Sequence, residues 1–323
     1  MKTIERTAHQ EYDIALQKIS PNKQKKTARF FVFSFLVLPI INFIIFYLYV
    51  NIDSFIMAFQ TKAFNPVTYE LEEVFTLDNF KQIKTMLSTQ TSTNLLIPLR
   101  NTIIFYLVGN LVTLPLTILT CYFLTKKIRG YKFFRAIFYL PCIISSTALV
   151  VLFKFSLGDG GFLDILYREV LHKTYVHPLV GAPNALITIL IYSVLFGIGG
   201  NIIIIGGAMN SIDPQLFESG EIDGCNWFQE LIYIILPCIW PTLSTMLILS
   251  VASFLGSTGP ILPFTKGAYE TSTLAYYIFA LVAGIGVGAK QDLYLASAIG
   301  LIMTAVSFPL ALVVKRIVYG RNE

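Results

Sequence analysis

The sequence predicts an all-α integral membrane protein with six transmembrane helices and both termini on the cytoplasmic side. Three observations predict it. The 323 residues are 55% hydrophobic and 13% charged, with a mean hydropathy of +0.67, too apolar for a soluble domain of this length. Six stretches carry no acidic residue and are long enough to cross a hydrocarbon core of about 30 Å at about 1.5 Å per helical residue. The basic residues gather in the termini and one connection, which parity places on one side of the membrane.

Taken in chain order, residues 1–29 form a basic tail with seven Lys or Arg. The first span, 30–52, follows with no small-residue cleavage site, so it is expected to stay as an anchor and not to be removed as a signal peptide. The other spans are expected at 101–124, 136–157, 184–209, 237–257 and 293–314. They must be helices, because hydrocarbon satisfies no exposed backbone group. Pro39, Pro115 and Pro141 predict kinks in them, not breaks.

The connection 125–135 holds Lys126, Lys127, Arg129, Lys132 and Arg135 with no acid, and the C-terminus holds Lys315, Arg316 and Arg321. With the tail these are fifteen of the 24 Lys and Arg, and they set the cytoplasmic side. Residues 273–289 are apolar as well, but a seventh crossing would export the basic C-terminus. Five glycines or alanines between Ala283 and Ala289 also make a weak helix. This segment is expected to be interfacial or re-entrant on the outer side.

One stretch departs from the apolar pattern on the cytoplasmic side. The segment 213–237 is acidic, without Lys or Arg, and is punctuated as a helix, a turn and a helix. Asp213 suits an N-cap, Pro214 the first helical position, and Gly224 the left-handed turn at the end. Asn226 with Gln229 three residues on forms a capping box that opens a second helix running to Pro237. Small Ser219 and Gly220, with Phe217 as an apolar anchor and Glu218 beside it, suggest a knob where another protein's surface approaches the backbone.

The series Glu218, Ser219-Gly220, Gly224, Ile234, Leu236-Pro237 resembles the coupling motif of permease subunits in binding-protein-dependent ABC importers. Ile212-Asp213-Pro214 and Glu221-Ile222-Asp223-Gly224 are similar to the carbohydrate-uptake branch, maltose and oligosaccharide permeases among them. The likeness extends to Leu77-Asp78-Asn79-Phe80, Asn101-Thr102, Tyr139-Leu140-Pro141 and Thr271-Ser272-Thr273-Leu274, so that most of 30–315 is covered. Two departures stand out: Ser219-Gly220 replaces the usual pair of alanines, and Lys266-Gly267-Ala268 stands where Gly-Gly-Pro is common.

The resemblance implies a transmembrane domain over 30–323, forming half of the pore of an importer for a carbohydrate, an oligosaccharide foremost. It implies a second related permease, two cytoplasmic ATPase subunits that hold ATP and Mg, an extracytoplasmic solute-binding protein, and a bacterial plasma-membrane location. Phe217, Glu218, Ser219, Gly220, Asp223 and Gly224 would make the ATPase contact. Hydrogen-bonding and aromatic residues inside spans are candidates for the sugar path: Asn201, Tyr192, Asn110 and Ser253, with Ser193 and Ser250. Asn201 leads, because an amide beside Gly199 and Gly200 can face a cavity without crowding.

The residues also bear on other classes. No phosphate-cradling loop is present: the Gly284, Gly286, Gly288, Lys290 series has the wrong spacing. Gly197, Gly199, Gly200, Gly206 and Gly207 suit close helix packing. None of the expected spans contains Asp or Glu, and Lys154 is their one charge, close enough to an end to reach the interface. A stand-alone secondary carrier or channel is the alternative this disfavours. A membrane-embedded transferase, the other, would have to draw on Asp159, Asp164 and Glu169, which are expected in a solvated loop. Cys121, Cys142, Cys225 and Cys238 read as small apolar residues, and His172 and His177 lack the spacing of a metal pair, so neither metal, cofactor nor nucleic acid is assigned to the chain.

Overall fold

The computed structural model describes residues 21–64, 69, 71–88, 94–172, 175, 177–285 and 291–319. The first twenty residues of the expected basic tail, Arg321, and the Gly286, Gly288 and Lys290 part of the outer segment lie outside the described residues. The chain divides into two compact units, Met1–Met57 and Ala58–Glu323.

The described part of the first unit is one helix. α1, Arg29–Ala58, is the apolar span and extends the expected 30–52. Pro39 lies inside the continuous helical stretch Pro21–Asn42, and Phe43–Tyr49 is wound as a wider π-helix. Large apolar residues from Phe30 to Ile56 are exposed along it, as suits a surface solvated by lipid.

The second unit opens with an antiparallel hairpin that the apolar pattern did not announce, β1 (Gln60–Phe64) with β2 (Leu71–Phe75), Gln60 facing Phe75. Then come α2 (Asp78–Ser88) and α3 (Leu96–Thr125), the second span. α4 (Tyr131–Ile143) and α5 (Ser146–Val170) follow, bent 107° to each other. α6 (Asn184–Asn210) is the fourth span, α7 (Pro214–Ile222) a short polar helix, and α8 (Trp227–Ser253) the fifth span. α9 (Ile261–Phe264) and α10 (Leu274–Ala283) precede the last span, α11 (Leu293–Tyr319). The central helix is α6, which packs against α3, α4 and α8. At their Lys126 end the shared core is Tyr122, Ile202, Ile205, Met209, Ile235 and Ile239, all nearly inaccessible.

The expected spans need three corrections. The third is broken, not kinked: Pro141 leaves the last turn of α4 one donor short, Ile144 turns extended at ψ 141°, and the chain restarts at Ser146. The fifth does not begin at Pro237 but ten residues earlier, at Trp227. Pro237 is tolerated because Glu230–Ile235 is π-helical, and a widened turn relieves the clash of a proline ring with the carbonyl four residues back. Gly109–Thr113 prepares Pro115 in the same way. Third, the longer helices take in Asp53, Arg100 and Glu230 near their ends, so the spans are not free of carboxylates.

Two distant segments that carried the family resemblance meet at the opposite end of the core. The amide of Asn101, fully buried, donates to the carbonyls of Glu270 (2.6 Å) and Ser272 (2.9 Å). Thr102 Oγ1 accepts from the Leu274 N–H at 2.9 Å. The start of α3 therefore fixes the turn that launches α10, a helix of ten residues, about 15 Å long and too short to cross. Asn101→Leu deprives two part-buried carbonyls of their donor, and thermal unfolding of the detergent-solubilised protein should show a loss of about 1 kcal/mol; an unchanged midpoint would show that these carbonyls find water.

Candidate functional site

α7 is set by its ends. The Asp213 carboxylate accepts from the Gln215 N–H at 3.0 Å, and Pro214 occupies the first turn where no donor is needed. After Asp223 the chain reverses through Gly224 at φ +74°, a conformation that costs glycine nothing. Asn226 and Gln229 then form the reciprocal box: the Asn226 N–H donates to Gln229 Oε1 at 2.9 Å, and Asn226 Oδ1 accepts from Gln229 N–H at 2.9 Å. The elbow is held at both ends by side chains within a few residues.

Its two faces differ. Leu216, Glu218, Ser219 and Asp223 point outward, and Ile222 is 86% exposed. Gly220 is buried against the start of α8: a Cβ there would lie 2.7 Å from Ile234 Cδ1. The small residue thus admits the chain's own Ile234, which corrects the expectation that a partner approaches the backbone at Gly220. Phe217 is likewise turned inward, half-buried on the core with the Lys126 ammonium 4.9 Å over its ring. The apolar groups this helix offers outward are Ile222 and, less fully, Leu216, neither of them part of the expected contact set.

A polar clasp joins the elbow to two spans. Glu230 is buried in the first turn of α8, where its Oε1 meets Lys126 Nζ at 2.6 Å and its Oε2 accepts from Tyr122 OH at 3.1 Å. Lys126 also stands 3.7 Å from Glu221 Oε1 on α7. One ammonium at the end of α3 therefore binds α8 and faces two residues of α7, and Phe123 and Trp227 pack beside it with ring centroids 6.2 Å apart. The acidic sign of 213–230 has an internal cause as well: two of its carboxylates answer Lys126.

Toward the other end of the core lies a cavity of about 270 Å³ between α3, α6 and α8. Asn110 and Ser253 line it, as do Ser193 and Ser250, so four of the expected path residues come together. Two do not. Tyr192 is buried in an aromatic cluster with Phe153, Phe196 and Phe264, at centroid distances of 5.2, 4.6 and 4.9 Å, so its ring serves packing. Asn201 is half-buried elsewhere on α6, and its neighbour Gly199 is no open space: a Cβ there would sit 2.6 Å from the Phe138 carbonyl oxygen.

Lys154 and Asp164 have local partners, whereas Asp159 and Glu169 are exposed, as expected. The Lys154 ammonium donates to the carbonyls of Pro263 (3.2 Å) and Phe264 (3.1 Å), closing the end of α9. Asp164 is buried, not solvated, pairing with Arg168 and accepting from the Gly160 N–H at 2.8 Å. Burial first, then Asp164 and Asp159, push the Tyr175 phenol above its ordinary range. Asp164 thus ties the Gly160 turn to Arg168.

Spans packed round a central helix, one polar elbow keyed into two of them, and an uncharged cavity between the same spans define a multi-pass membrane protein. Residues 126–320 match the binding-protein-dependent transport system inner membrane components, and the chain belongs to that family. It is accordingly a multi-pass protein of the bacterial plasma membrane. The chain is 26% identical over 282 residues to the multiple sugar-binding transport system permease protein MsmF of Streptococcus mutans, covering 87% of this chain and 92% of that one. It is 26% identical over 235 residues to the sn-glycerol-3-phosphate transport system permease protein UgpA of Rhizobium meliloti, covering 70% and 78%. A probable ABC transporter permease protein of Mycoplasma pneumoniae is 27% identical over 64% of this chain, and the match spans 65% of the length of that relative. Among solved structures, a bacterial ABC transporter involved in the import of the acidic polysaccharide alginate shares the fold with a TM-score of 0.74, at 22% identity over 93% of this chain and 99% of its own.

Proposed function

We propose that this chain is a pore-forming subunit of an ATP-driven importer for a carbohydrate, moved from the cytoplasm through α7 by a separate ATPase subunit. The observation that carries the reading is the two-faced elbow: Glu218, Ser219 and Ile222 are free for a partner, while Phe217, Gly220 and Glu221 are tied to α3 and α8. A push on the free face is delivered to two spans that border the cavity. The family and its sugar-transporting relatives support the cargo class, and the basic 125–135 connection and C-terminus support the cytoplasmic side.

The complete machine in this reading has a second related permease, two ATPase subunits that hold ATP and Mg, and an extracytoplasmic solute-binding protein. Nucleotide and metal belong to the ATPase. Because Glu218 and Ile222 are exposed and have no hydrogen bond or ion pair from their side chains among the described residues, Glu218→Lys and Ile222→Asp should leave insertion and folded yield unchanged. ATP-dependent uptake by the assembled complex in proteoliposomes should nevertheless fall by about ten-fold or more, the loss of a hot-spot contact. Wild-type uptake by both variants would remove α7 from the coupling path.

A further inference from the structure

The relatives handle cargoes of unlike charge, a phosphate ester and an acidic polysaccharide among them, and the cavity of this chain distinguishes between such cargoes. We infer that it takes an uncharged, polyhydroxylated ligand, a neutral glycan, and rejects phosphorylated or uronate sugars; the inference rests on the importer reading and narrows it. No residue lining the cavity is charged. Asn110 lies near the middle of α3, roughly 20 Å from either end, so an anion there would meet no countercharge from this chain's lining.

The hydroxyls carry the argument further. Ser193 donates to the Ile189 carbonyl at 2.8 Å and Ser253 to that of Leu249 at 2.9 Å. The one proton of Ser250 goes to Leu247 O (2.9 Å) or to Asn110 Oδ1 (3.1 Å). With their protons committed to their own helices, these three oxygens face a ligand as acceptors. Asn110 spends one amide proton on the Tyr106 carbonyl at 2.9 Å. Side-chain donors left in the described lining include its second N–H and the Tyr106 phenol, with exposed Ser257 at the rim.

A sugar hydroxyl both donates and accepts, and can use every one of these groups. Carboxylate and phosphate oxygens only accept: they can use the Asn110 and Tyr106 donors but not the three serine oxygens, and they find no cation in the lining to offset their charge. A cationic ligand would find acceptors but no carboxylate to neutralise it. Tyr106 and Phe254, with ring centroids 5.2 Å apart, supply the apolar face that the C–H side of a sugar ring requires.

The test uses the complete importer in proteoliposomes, with Ser253→Cys as a reporter whose alkylation by N-ethylmaleimide is followed by peptide mass spectrometry. Maltotriose, raffinose, sn-glycerol 3-phosphate and trigalacturonate are the probes. At least one neutral trisaccharide should slow alkylation by about five-fold, the mass-action effect of a site four-fifths occupied, and neither anion should slow it as much as two-fold. Protection by an anion equal to that of the neutral sugars, or no protection by any probe, overturns the inference. ATP-dependent uptake of an anion with the neutral sugars excluded also overturns it while leaving the importer reading in place. ATP hydrolysis without uptake of any probe sinks that reading itself.

Discussion

Lys126→Met is expected to cost about 3 kcal/mol of stability, near the lower end of the range for breaking a buried ion pair, because part of the lysine is still exposed. The loss arises at Glu230, which keeps only the Tyr122 hydroxyl and is too deep in the first turn of α8 for water to replace the ammonium at 2.6 Å. Pairing it with Glu230→Leu removes the stranded charge, so the double variant should unfold at a higher temperature than Lys126→Met alone. A cycle of the two should give a coupling of about 2 kcal/mol or more, read from thermal unfolding of the solubilised protein. Additive losses would show that the pair is screened and that the clasp contributes only packing. The double variant also separates two roles, since it restores the fold without restoring the hold on Phe217 and Glu221. Uptake that stays low after stability returns would assign Lys126 to force transmission.

Two adjacent glycines give the second large contrast. Gly199→Ala places a methyl 2.6 Å from the carbonyl oxygen of Phe138 and 2.7 Å from Cys142 Sγ. The sulfur can rotate away but the backbone oxygen cannot, so α4 and α6 must part, at the roughly 1–3 kcal/mol typical of overpacking. Gly200→Ala meets nothing within 4 Å and should change stability by less than about 0.5 kcal/mol. Unfolding midpoints of the two variants decide the matter; equal midpoints would mean that the α4–α6 seam is loose.

The spans, the elbow and its caps were legible because each is written locally: apolar runs, Asp213 before Pro214, Gly224, and Asn226 with Gln229. What the pattern hid depends on residues far apart in sequence. Glu230 and Lys126 each look like solvated charges beside a membrane, and the pairing that buries one of them exists only after α3 and α8 pack. Placing the fifth span at Pro237 concealed Glu230 further, since a proline reads as a helix start and the widened turn before it leaves no compositional mark. For the expected path residues, polarity inside a span singled out Asn110, Ser193, Ser250 and Ser253, which line one cavity, but not their orientation. Tyr192 has the same polarity and points into an aromatic cluster. Gly199 shows that a small residue can mean a neighbour already in place.

The widened turn at Glu230–Ile235 also acts as an index mark. Each residue of an α-helix subtends about 100°, and this turn lies between the clasp at Glu230 and the serines at 250 and 253. Deleting or adding one residue there would leave both halves of α8 helical, yet swing every side chain beyond it by more than a quarter revolution, carrying Ser250 away from Asn110. The winding phase of α8, set by a stretch outside the cavity lining, is what aims the serines.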